Sequence, residues 1–200
     1  MNKWVLTQGI NFFDAAERYP VPPMTETYGR TEQCIGTWFK ARKNRDKVIL
    51  ASKIFGRSNS YNYARGGEPT RLDRKNITAA LDGSLKRLQT DYIDVYQLHW
   101  PDRSVNNFGQ LGYVHVEEEY SQPHETLAIL QDFVKAGKIR HVGLSNETPY
   151  GVMQFLHDAQ TKNLPRMQSV QNPYSLLNRS YEIGLAEISI RQNCGLLAYS

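Results

Sequence analysis

The chain has 200 residues, 40% hydrophobic and 22% charged, which is length and apolar content for one sizeable core. Its net charge of +4 comes from bases scattered through helices and loops, with no aromatic-interleaved basic run, which argues against nucleic-acid binding. The apolar run near Met1 is only WVL, too short for a signal peptide or a membrane span. Cys34 and Cys194 stand far apart without metal-ligand spacing, as two free thiols of a cytoplasmic protein do.

In chain order, WVLTQG reads as the last turn of a helix with Gly9 as its left-handed cap. A strand follows from Phe12 to Ala16. Thr31 is a candidate cap for a helix that turns Ile35, Trp38 and Phe39 inward. VILASK, Val48 to Lys53, is a continuous apolar run, as expected of a strand covered on both faces. A Gly, Ser, Asn and Tyr-rich loop runs from Gly56 to Leu72. Asp73 then caps a helix with Ile77, Leu81, Leu85 and Leu88 on one face.

YIDVYQLHW is the next strand, and a long loop runs from Pro101 to about Gln122. Pro123 opens a helix that Gly137 ends. IRHVGLSN is a strand, and Thr148 with Pro149 opens a helix with Val152, Phe155 and Leu156 inward. MQSVQNPY is a strand. The helix through Leu185 and Ile188 is expected to stop at Gly195, and LLAYS is the last strand. Alternating strands and helices imply parallel strands joined by helical crossovers, hence an α/β fold. No glycine-rich fingerprint follows any strand, which disfavours a dinucleotide-binding doubly wound sheet against a (β/α)8 barrel.

Ligands of parallel α/β folds bind at the carboxyl ends of the strands. Those ends carry Asp14, Lys53, His99 with Trp100, Ser145 with Asn146, Gln171 with Asn172, and Tyr199 with Ser200. Asp14 taken alone could be a turn cap, and Lys53 alone a solvated strand terminus. Together with Tyr19 they make a system that delivers a proton. An ammonium beside a phenol is expected to lower its pKa, a carboxylate holds the ammonium charged, and an imidazole can donate to a carbonyl oxygen. Hydride addition to an aldehyde or ketone creates an oxygen that needs such a donor. His115, His124, His141 and His157 have no metal spacing, so no metal is expected, and Glu117 to Glu119 reads as a solvated charge run that could also shape the site's mouth.

FFDAAERY, ILASK, YQLHW, GLSN, VQNPYSLL and LLAYS resemble the strand-end motifs of the aldo-keto reductases. The extended YPVPP and VQNPYSLLNRS resemble the family's bacterial Tas subgroup most closely. The resemblance covers nearly the whole chain. It implies a (β/α)8 TIM barrel as one domain over residues 1–200, a small carbonyl substrate and NADP (NADPH) as cofactor. It makes Tyr19 the proton donor, Asp14 and Lys53 its tuning partners, and His99 the group that orients the carbonyl. Tyr19, His99 and Trp100 would line the substrate pocket. Asp14, Ser145, Asn146 and Gln171 would lie against the nicotinamide, with Tyr199 stacked on its ring and Ser200 opening a phosphate-binding segment; Tyr199 could equally be a core aromatic. Only about six of the barrel's eight strands are found, so the chain reads as a partial barrel, incomplete at both termini, with two apolar sheet edges open to self-association. An active reductase, a cofactor-sensing binding subunit and an inactive truncated barrel are the competing expectations.

Overall fold

The computed structural model describes residues 6, 8–106, 108 and 110–200. Short apolar runs form strands and longer amphipathic runs form helices, in strict alternation. The order is β1 (Phe12–Asp14), α1 (Arg30–Arg42), β2 (Ile49–Ile54), α2 (Arg74–Leu88), β3 (Ile93–Leu98), α3 (Pro123–Lys135), β4 (Ile139–Ser145), α4 (Pro149–Thr161), β5 (Met167–Pro173), α5 (Leu185–Arg191) and β6 (Gly195–Tyr199). All six strands are parallel and pair in sequence order. The result is a half-barrel with β1 and β6 as its two edges.

Strand alternation divides the side chains between two faces. Leu50, Ile54, Tyr96, Leu98, Val142, Leu144 and Val170 point to the helical layer, in one core with Ile35, Phe39, Ile77, Leu81, Leu127, Leu130, Val152 and Phe155. The residues between them line the concave face. The register aligns the carboxyl ends, with Asp14 opposite Ala51, Lys53 opposite Gln97, Ser145 opposite Gln171 and Pro173 opposite Tyr199. Leu81 is 0% exposed in this core. Leu81→Ala is expected to lower unfolding free energy by about 2–5 kcal/mol, read as a lower urea midpoint with an unchanged slope.

Three local expectations are corrected. The first strand stops at Asp14, not Ala16. Past Asp14 the chain bends toward Tyr19, although the Ala15 and Glu17 N–H groups still reach the Ala51 and Lys53 carbonyls at 2.9 and 3.1 Å. Thr31 is not a cap: α1 starts one residue earlier, behind Gly29 at φ 76°, a conformation open to glycine without strain. Gly195 does not stop α5 but begins β6; the intervening turn is made by Asn193 at φ 47°. Asp73 does cap α2, accepting from the Asn76 N–H, and Thr148 caps α4 from the Gly151 N–H. Gly9 lies at φ 80° and its N–H bonds the Leu6 carbonyl at 3.1 Å, while Trp4, Val5 and Thr7 of the expected helix tail lie outside the described residues.

The open edge at β1 leaves Ile10 and Phe12 exposed beside a cavity of about 640 Å³ that Cys34 and Ile35 also line. At the other edge, β6 is apolar in sequence, with Gly195 and Ala198 exposed and Leu196, Leu197 and Tyr199 half-buried, and Ile183 and Ile190 before it are exposed.

Candidate active site

The ends of β1, β2 and β3 bring three of the expected residues together, and the loop after β1 supplies the fourth. Lys53 is wholly buried, an expensive place for an ammonium unless it is paired. It is paired: Nζ donates to Asp14 Oδ2 at 2.7 Å and to the Ala15 carbonyl at 2.8 Å. The same nitrogen lies 3.4 Å from the Tyr19 hydroxyl. Gln97 Nε2 donates to the other Asp14 oxygen at 3.3 Å. The His99 ring meets the Tyr19 ring edge-on, with centroids 5.7 Å apart.

The electrostatics differ from the expectation at one point. Tyr19 is not pulled down by the neighbouring ammonium; it is pushed up to about 12, by burial first and then by the Asp14 charge, with Arg18 opposing. Burial also lowers Lys53, against the pull of Asp14. Burial, helped by the charges of Lys53 and Arg18, holds His99 well below the usual imidazole range. His99 is therefore a neutral imidazole at neutral pH, able to donate a hydrogen bond from one ring nitrogen. Its Nδ1 has no hydrogen-bond partner among the described residues.

The ends of β4, β5 and β6 form a second group beside the first. Asn146, at φ 51°, turns the chain after β4 and aims its side chain across the sheet. Its Nδ2 donates to the His99 carbonyl at 2.8 Å and to Ser145 Oγ at 3.1 Å, and its Oδ1 accepts from the Tyr199 hydroxyl. Ser145 Oγ donates to the Gln171 carbonyl at 2.9 Å. Gln171 is a buried residue whose backbone carbonyl accepts from Ser145 Oγ and the Asn146 N–H, while its carboxamide makes no hydrogen bond among the described residues. Asn172 instead braces the backbone of Glu147 at 2.8 and 3.1 Å. The Tyr199 ring is half-buried and Ser200 is exposed.

Trp100 closes the side of the site. Its Nε1 donates to the Arg57 carbonyl at 2.9 Å, and its ring contacts those of His99, Phe55, Tyr61 and Phe108. A Cβ on Gly56 would fall 2.1 Å from the Trp100 carbonyl oxygen, so the approach of the two loops requires glycine there. The charge run in the long loop is not wholly solvated: Glu118 pairs with Arg57 at 2.7 Å and accepts from the Ser104 N–H. Another cavity, about 600 Å³, lies between this loop and the start of α4, beside the Tyr19 cluster and not at it.

Some neighbours of the site were not expected from sequence. Gln97 lies two residues before His99 on one strand, so the period of two already places both on one face. Glu17 and Arg18 fill the interval between Asp14 and Tyr19. Glu17 is 1% exposed, pairs with Arg65 at 2.8 Å and accepts the Phe55 N–H at 2.7 Å. Among the described residues no helix is long and apolar enough to cross a membrane, and no three His, Cys, Asp or Glu side chains form a group that could hold a metal ion.

A parallel half-barrel with an ammonium, a carboxylate, a phenol and an imidazole at its strand ends is the frame of an α/β-barrel protein with a polar site on its carboxyl face. The sequence model of the Aldo/keto reductase family matches residues 1–200, and the chain belongs to that family. It is 52% identical to Protein tas of Escherichia coli over 199 residues, covering 98% of this chain and 57% of that protein. It is 44% identical to an aldo-keto reductase of Babesia bovis over 165 residues, 77% of this chain and 58% of that one. Among solved structures, an aldo-keto reductase from Klebsiella pneumoniae in complex with NADPH superposes with a TM-score of 0.71 at 25% identity, over 97% of this chain and 54% of that one. The chain thus spans little more than half the length of these relatives.

Proposed function

We propose that this site reduces an aldehyde or ketone to an alcohol, with Tyr19 as proton donor and NADPH as reductant. The observation that carries this reading is the single nitrogen, Lys53 Nζ, that touches both the Asp14 carboxylate and the Tyr19 hydroxyl, with the neutral His99 ring edge-on to the phenol ring. The NADPH-bound relative from Klebsiella supports the choice of reductant.

The β4–β6 group fits the nicotinamide end of such a cofactor. Gln171 presents a carboxamide with no hydrogen-bond partner among the described residues, which suits another carboxamide that both donates and accepts. The Tyr199 ring stands beside it and Asn146 holds that ring by its hydroxyl. When bound, the reduced nicotinamide supplies the hydride, and with it the electron pair of the new C–H bond. His99 donates a hydrogen bond to the carbonyl oxygen and so orients it. Tyr19 gives its hydroxyl proton to that oxygen as negative charge develops there. The phenolate left behind is stabilised by Lys53, which Asp14 and the Ala15 carbonyl hold in place, and solvent returns the proton.

This reading fixes the pH dependence. Tyr19 is raised from 10.0 to about 12, so the donor is loaded at every pH below that range. The profile of kcat/KM for reduction reports the free protein's groups, so it is expected to stay flat through the mildly alkaline region. A descending limb centred below the ordinary phenol value would exclude free Tyr19 as the titrating donor. Lys53→Met removes the phenolate's counter-charge, and its reductive turnover is expected to fall by about 10²–10³-fold. A folded Lys53→Met chain with unchanged turnover would remove Lys53 from the mechanism.

A further inference from the structure

Arg18 lies next to the phenol in sequence and has no part in the reaction above. Its guanidinium lies 5.4 Å from the Tyr61 ring centroid and 5.9 Å from those of Trp100 and Phe108. Its one hydrogen bond among the described residues runs from Nη2 to the Tyr61 hydroxyl at 3.0 Å. Nε is buried with no acceptor, although a guanidinium carries five N–H donors and no acceptor of its own. The aromatic rings hold the cation without neutralising it.

Nearby carboxylates do not neutralise it either. Asp14 is paired with Lys53 at 2.7 Å and Glu17 with Arg65 at 2.8 Å, while Glu118 is paired with Arg57 at 2.7 Å. Each of these acids has its own base, and Arg18 has no ion pair among the described residues. The mouth therefore carries one uncompensated positive charge, next in sequence to the phenol. Its field reaches the reacting groups: it opposes the rise at Tyr19 and at Tyr199 and adds to the fall at His99.

We propose that Arg18 is a specificity residue: it binds an anionic group, a carboxylate, on the carbonyl compound that this site reduces. A guanidinium fork matches a carboxylate through paired N–H donors, and a partly water-excluded, uncompensated one favours an anion most. The substrate class is then a carboxylate-bearing aldehyde or ketone whose apolar middle lies against Tyr61 and Trp100. This deepens the reductase reading and rests on it for the carbonyl half alone.

The test compares para-carboxybenzaldehyde with para-tolualdehyde, which match in shape and differ in charge. The wild-type chain is expected to prefer the carboxylate. Arg18→Met, which keeps an apolar stem against the rings, is expected to lower kcat/KM for the carboxylate by about 10–100-fold, with the neutral aldehyde changed by less than about threefold. The preference should also shrink as salt is raised. Binding of the two corresponding benzyl alcohols, followed by tryptophan fluorescence with and without NADPH, reads the same contrast without turnover. If neither aldehyde is reduced but Arg18→Met still abolishes carboxylate-selective binding, the reductase reading fails and the anion site stands. An equal loss on charged and neutral ligands, or a charge preference that survives Arg18→Met, overturns the proposal. So does a fall in NADPH affinity with the carboxylate preference intact, which would assign Arg18 to a cofactor phosphate. If Arg18→Met does not fold, Arg18→Lys decides: loss of the fork should weaken the preference, and an unweakened, salt-independent preference overturns it.

Discussion

Tyr19→Phe is expected to lower the rate of carbonyl reduction by about 10²–10⁴-fold while NADPH affinity stays within about threefold, because general-acid transfer contributes on that scale and binding does not use the proton. The substitution deletes one oxygen from a half-buried ring and leaves Lys53 bonded to Asp14 and the Ala15 carbonyl. Lys53 therefore keeps its charge and place, and the site loses only its donor. His99 is a poor replacement, since burial and two neighbouring cations keep it neutral. Phe at this position with full turnover would mean that the proton comes from elsewhere.

The second large effect is on stability. Glu17→Ala is expected to cost about 3–5 kcal/mol, read as a lower urea midpoint, because it strands a buried cation. Arg65 has an 8% exposed side chain and two of its nitrogens reach the Glu17 carboxylate, at 2.8 and 3.1 Å. The remaining links, from Arg65 Nε to Asn76 Oδ1 at 3.0 Å and from Nη1 to the Ala64 carbonyl at 2.9 Å, supply no charge. The Phe55 N–H also loses its acceptor at the end of β2. Glu17→Gln, which keeps an acceptor and loses the charge, should cost less. Glu17 stands between Asp14 and Tyr19, so a folded Glu17→Gln chain should also show a lower kcat from a less well-placed phenol. A loss below about 1 kcal/mol in Glu17→Ala would mean that water solvates Arg65, contrary to its burial.

Much of this architecture is legible from the sequence for a simple reason. Strands covered on both faces are mostly apolar, so Lys53, one residue before the end of β2, and His99, directly after β3, stand out near the strand ends. The helix starts at Asp73 and Thr148 are local chemistry and hold as read. What escaped was long-range or conformational. Glu17 and Arg65 are 48 residues apart, and Arg18 and Tyr61 are 43 apart, with no local pattern tying them. Gly29 replaced Thr31 because a left-handed backbone outweighed a side-chain cap. The pKa of Tyr19 ran the other way because burial of the ring, which depends on the whole fold, raises it, and the Asp14 charge adds to the rise. Asp14, Lys53, Tyr19 and His99 lie together, whereas the Asn146 side chain is taken up by protein partners, which no local pattern announces.

The proposed reduction requires these residues to move a proton to a carbonyl during hydride addition. The most direct measurement is a single-turnover mixing of the folded chain with stoichiometric NADPH and excess para-carboxybenzaldehyde, following NADPH absorbance and the alcohol formed. One alcohol per NADPH consumed is expected in the wild-type chain, and a decay slower by about 10²-fold or more in Tyr19→Phe. A cooperatively folded chain that binds NADPH and aldehyde yet forms no alcohol, or one in which Tyr19→Phe reacts as fast, would contradict it.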